Sequence, residues 1–165
     1  MKTVLLIATA VALVPAVAIA ASMPAKTYVM KAGASDLFEI ESSKLVQNSS
    51  NPKVAEFATM MVTDHTKSTD DVKAAATADG ITPSAPMLTA KQKVMLDKLN
   101  QASGTARDAV YEKEQLAAHT ATLALQKDYA TSGDKPHLKS VAATIVPVVE
   151  HHIAAMKSIT AGTKS

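Results

Sequence analysis

The segment Asp108–Tyr129 reads DAVYEKEQLAAHTATLALQKDY. It contains neither Pro nor Gly and is rich in Ala, Leu, Gln, Lys and Glu, the residues that lose least on entering a helix. Turned at about 100° per residue, it places His119 in the middle of a face that also holds Asp108, Glu112, Gln115 and Gln126. Leu116 and Leu123 flank that face on one side, and Tyr111, Thr122 and Tyr129 on the other. The opposite side carries Ala117, Ala121, Ala124 and Asp128, the pattern of a solvated surface. The helix is therefore expected to turn polar groups inward, so the rest of the chain must supply a helical bundle with a polar interior.

The composition agrees with an all-helical domain. Apolar residues make up 47% of the 165-residue chain but aromatics only 3%, with no Trp, which disfavours a sheet sandwich. This length suits one domain with a real core. The formal net charge is +2, and no basic cluster is interleaved with aromatics, so a nucleic-acid partner is not expected. There is no Cys, which removes disulfides, thiolate ligands and a lipoprotein anchor together.

Residues 1–20 read as a signal peptide. Lys2 precedes the apolar run Val4–Val14, and Ala18-Ile19-Ala20 offers a small-residue cleavage site before Ala21. The alternative, an uncleaved anchor, is disfavoured because the run is short and Pro15 interrupts it. No later segment is apolar enough to span a bilayer. In a bacterial source the mature domain, residues 21–165, is expected to be periplasmic; its oligomeric state is not readable from the sequence.

The first helix is expected from about Lys26 to Gln47, with Ala32, Asp36, Glu39 and Ser43 on one stripe. Asn51 is a natural N-cap and Pro52 suits the first helical position, so a second helix follows after a short loop and runs to Asp79, before Gly80. Its seam is expected at Val54, Ala58, Met61, His65, Ser68, Val72 and Ala75. Residues 80–104 hold Gly80, Pro83 and Pro86 and a short amphipathic helix over Thr89–Gln101, which is more chain than an antiparallel turn needs. They read as a crossover between two helical hairpins. The last helix spans about Pro136–Thr160 and carries a seam of Leu138, Val141, Ile145, Val149, His152, Met156 and Ile159. Pro147 lies inside it, about one turn before His152.

Four helices thus offer Glu39, His65, His119 and His152, one residue each, well inside each helix. Imidazole and carboxylate groups on facing helices are how bundles bind transition metals, here Fe, Mn, Zn or Cu. Asp64, Tyr111, Glu112 and Gln115 are candidates for further ligands or for groups that orient an imidazole. The bland reading is a non-catalytic structural or interaction module whose hydrogen-bonded core network fixes the register of the bundle. A ferroxidase-type di-iron centre is not expected, because Val62 and Val149 stand three residues before His65 and His152, where its motif needs Glu. The His152/Met156 pair suits copper by spacing, but Met156 also suits the core. There is no Gly-rich phosphate loop and no nucleophile elbow, so no reaction is assigned.

The motifs SDLFEIESSKL (35–45), FATMMVTDHTK (57–67), LNQASGTARDAVYEKEQLAAH (99–119) and IVPVVEHHIAAM (145–156) resemble those of the exported bacterial domain-of-unknown-function family 4142. The resemblance implies a ferritin-like four-helix bundle. It matches Glu39, Asp64, His65, Tyr111, Gln115, His119, Pro147 and His152, and it favours His152 over His151. Members are often labelled outer-membrane proteins, a label that this chain, without barrel strands, does not support. The resemblance supplies a fold and a residue set, and no reaction.

Overall fold

The computed structural model describes residues 22–162, so the expected signal peptide over residues 1–20 lies outside the described residues. Five helices follow one another: α1 Ala25–Lys44, α2 Pro52–Ala78, α3 Ala90–Gln101, α4 Gly104–Ser132 and α5 Pro136–Gly162. Among the described residues every regular element is a helix, and none is long and apolar enough to cross a membrane.

Local chemistry sets the helix ends. Asn51 accepts a hydrogen bond from the Lys53 amide and Pro52 occupies the first turn, where its missing N–H costs nothing. Thr89 and Gln92 form a reciprocal capping box that starts α3. Gly80, at φ +76°, lets the chain leave α2 through the left-handed region. Asp79, just past the end of α2, then accepts the Leu138 amide at 2.9 Å and so caps α5.

α1 packs against α2 and α4, and α5 packs against the same two, which puts α2 and α4 on a diagonal. Along α1 and α4 the partners run in opposite directions: Tyr28 with Gln126, Ser35 with Thr122, Ser42 with Gln115, Ser43 with Tyr111. The buried sets pair α2 antiparallel to α5 in the same way, with Val72 and Ala76 beside Leu138 and Ala142, and Val54 and Phe57 beside Met156 and Ile159. The order is therefore up-down-down-up. The connection from α2 to α4 must return along the length of the bundle, the crossover topology of ferritin-like folds. It runs beside α1, where Gln92 Nε2 donates to the Ala34 carbonyl at 2.9 Å.

The expected inward polar face of α4 is the observed one. Asp108, Glu112, Gln115, His119 and Gln126 are buried, while Ala117, Ala121, Ala124 and Asp128 are exposed. The expected seams hold except at Ser68, Ala75 and Val141. In α2, Phe57 and Ala76 are buried while Ser68 and Ala75 are only partly so; in α5, Ala142 takes the place of Val141.

The apolar core is in two pieces. One gathers Tyr28, Val72, Tyr129, Leu138 and Ile145, with the Tyr28 and Tyr129 rings stacked 3.9 Å apart. The other gathers Val54, Phe57, Met61, Leu99, Tyr111 and Met156. Met156 is therefore packed as core. Between the two pieces lies the polar middle of the bundle.

Candidate metal centre

α2, α4 and α5 bring His65, His119 and His152 together in that middle. Their ring centroids stand 5.6 Å (His65–His119), 5.5 Å (His65–His152) and 5.4 Å (His119–His152) apart, a nearly regular triangle. One ring nitrogen from each lies within 4.8 Å of the other two, and all three residues are buried. His151, the neighbour of His152, is exposed, and so is His137, which bonds Asp79 at the far end of the bundle.

Each ring has one nitrogen anchored and one bare. Nδ1 of His65 lies 2.8 Å from Asp36 Oδ1, Nδ1 of His119 2.9 Å from the Gln115 carbonyl oxygen, and Nε2 of His152 2.9 Å from Asp64 Oδ2. Carbonyl and carboxylate oxygens accept, so each anchored nitrogen carries the proton. In the neutral rings the lone pairs then sit on Nε2 of His65, Nε2 of His119 and Nδ1 of His152. Those three atoms are buried without a hydrogen-bond partner. Leaving a polar atom in that state costs about 1–3 kcal/mol each.

Burial and charge divide the three rings. Burial drives the His119 imidazolium down, and the neighbouring His65 pushes the same way, to a pKa of about 3. Burial also lowers His152, against the opposing hydrogen bond from Asp64. For His65, burial acts downward as well, but the hydrogen bond and charge of Asp36, helped by Glu39 and Asp64, outweigh it and raise the pKa.

Glu39 lies beside the triangle rather than in it. Its carboxyl is fully buried, with Oε1 3.7 Å from His119 Nδ1, too far for a hydrogen bond; the Gln115 side chain is near enough to ease its charge, but neither oxygen lies in good hydrogen-bond geometry with a donor. Burial raises its pKa to about 7, against the partly compensating charge of His65. Of the other sequence candidates, Asp64 and Gln115 hold rings as described. Tyr111 pairs its hydroxyl with Ser43 Oγ at 2.8 Å, and Glu112 lines a surface cavity beside Asp108. Asp36 was not among the candidates. Its position three residues before Glu39 on the same stripe was the available signal, but its partner is on another helix.

The domain of unknown function DUF4142 matches residues 12–159 of the chain. No curated protein matches it. Two solved structures are similar. CopM in the Cu(II)-bound form is 15% identical at a TM-score of 0.69, covering 83% of this chain and 95% of CopM. The DUF305 fragment from Deinococcus radiodurans is 13% identical at a TM-score of 0.70, covering 85% of this chain and 97% of the fragment. Likeness at such identities concerns the helical-bundle fold.

Proposed function

The chain belongs to the DUF4142 family, and we propose that it is an exported, metal-binding bundle, non-catalytic, that holds one transition-metal ion on His65, His119 and His152. The observation that carries this reading is the set of three bare, buried ring nitrogens on three different helices. A cation would satisfy all three at once, in competition with protons.

The anchoring groups support the same reading. A ligating imidazole ordinarily donates its other N–H to a carboxylate or a backbone carbonyl, which fixes the tautomer and raises ligand basicity. Asp36, the Gln115 carbonyl and Asp64 do this for the three rings in turn. Glu39 would supply a carboxylate from α1 once it ionises, completing a donor set drawn from all four long helices. Three imidazoles favour copper or zinc over iron or manganese. CopM was solved with Cu(II), which makes copper the first ion to test here. A metal ion in this position would tie the helices together and stabilise the fold by mass action.

A packing role has one observation of its own. The hydrogen bonds from Tyr28–Gln126 to Ser49–Asp108 form a ladder from α1 and the loop after it to α4, and such a ladder can hold the register of α4 without any metal. That role accounts for the ladder and leaves the bare nitrogens unexplained. Changing His119 to Leu separates the two readings. The metal reading expects lost metal and a lost metal-dependent rise in Tm; the packing reading expects neither to exist in the parent protein.

A further inference from the structure

Resting on the metal-binding reading, we propose that the cleft between α2 and α5 is the entrance through which a hydrated cation reaches the three imidazoles, with Asp64 as the carboxylate that receives it. The cleft measures about 160 Å³ and is lined by Asp64, His65, Ser68, Thr144, Val149 and His152, among others. It therefore reaches two of the three rings directly. Three larger cavities among the described residues are lined by none of these histidines.

Asp64 stands at the boundary. Its side chain is 36% exposed, while the His152 side chain that it bonds is 1% exposed. One carboxylate oxygen thus holds the ring while the group as a whole still faces water, where a cation can meet it. Ser68, one turn further along α2, has a buried hydroxyl oxygen without a partner in the same cleft. Asp71 also lines the cleft, with its charge countered by Lys67. The other side of the site is bridged by hydrogen bonds. Ser35 bonds Thr122 and Ser42 bonds Gln115 between α1 and α4, and Glu39 is fully buried behind them.

The test is the rate of Cu(II) uptake by metal-free protein, followed by stopped-flow absorption of the bound ion, and of its release to a chelator. Ser68→Leu fills the cleft from within, and Thr144→Trp covers it from an exposed position on α5 where core packing is not at stake. Ala121→Leu, in the separate cavity beside α4, is the control. Blocking an entrance slows uptake and release together, by tenfold or more in at least one cleft variant, at unchanged Kd and with the control at the wild-type rate. Uptake at the wild-type rate in both folded cleft variants, with full metal content, would overturn the entrance while leaving the metal site standing. If the wild-type protein takes up no metal, the metal-binding reading itself fails, and the entrance with it.

Discussion

Asp36 Oδ1 stands 2.8 Å from Nδ1 of His65, a contact that ties α1 to α2 and leaves Nε2 of the ring bare in the middle of the bundle. The carboxylate is held by Thr69 through its second oxygen at 3.2 Å, so it cannot turn away without losing a partner. Asp64 does the same for His152 from the other side. Two of the three rings are therefore aimed by carboxylates, and the aim is as testable as the rings.

Asp36→Asn and Asp64→Asn should each weaken metal binding by about 10- to 100-fold while the fold is retained. An amide keeps the size of the group and removes its charge, so the ring loses basicity more than position. Chelator competition gives the Kd, and circular dichroism gives the fold. Unchanged affinity in both variants would mean that the carboxylates serve packing alone.

Glu39→Gln should stabilise the metal-free protein at neutral and higher pH. The folded-state pKa of about 7 lies above the ordinary 4.5. The contribution of Glu39 is therefore fully present below pH 4.5 and is lost as the pH rises through 7, when a buried carboxyl must ionise. The glutamine variant lacks that loss. Relative to wild type it should be no more stable at pH 4 and better by roughly 3 kcal/mol at pH 8. Denaturant titrations at the two pH values read the difference, and a gap that does not widen with pH contradicts the assignment. Metal affinity should fall in the same variant if Glu39 joins the donor set.

His119→Leu carries the opposite sign. The folded-state pKa of about 3 lies below the ordinary 6.5, so the contribution of His119 is fully present above pH 6.5 and is lost as the pH falls towards 3. The metal-free leucine variant should be near wild-type stability at pH 7 or above it, since one bare nitrogen is gone. Between pH 6.5 and 4 it should lose less stability than wild type. A steeper acid slope than wild type would mean that His119 is not held neutral in the fold.

Pro147→Ala should raise Tm. α5 continues through Pro147, whose missing N–H leaves the Ala143 carbonyl without its helical partner. Ala143 is exposed, where water can reach the backbone, so the gain should be smaller than the ~3 kcal/mol of an unrelieved mid-helix proline. Restoring a regular turn just before His152 should also shift that ring and weaken metal binding. A higher Tm with untouched affinity would make Pro147 a tolerated break; an unfolded variant would make it part of the packing.

Much of this was legible in the sequence because α4 states its own orientation. A helix that buries Asp108, Glu112, Gln115, His119 and Gln126 while exposing three alanines has a polar interior by periodicity alone. The three seam histidines follow from the same arithmetic. What the sequence did not show was every relation between helices. Asp36 and His65 are 29 positions apart, and nothing local marks them as partners. The separation of Glu39 from the ring triangle was hidden for the same reason, since a shared height on facing helices does not give a distance. The crossover was suggested by the length of the segment after Gly80, but the diagonal placement of α2 and α4 needed the antiparallel pairs to establish it. Three expected seam positions, Ser68, Ala75 and Val141, are only partly buried, and Ala76 and Ala142 are buried beside the last two.

The most direct test is elemental analysis of the mature protein purified without a histidine tag, together with the Tm change on adding Cu, Zn, Fe or Mn to the metal-free form. The three-imidazole site predicts one metal ion per chain and a rise in stability of about 4 kcal/mol when the free ion is a thousandfold above Kd, with affinity falling as the pH drops towards about 6. Metal content far below one per chain, with no thermal shift from any of the four ions, would contradict it.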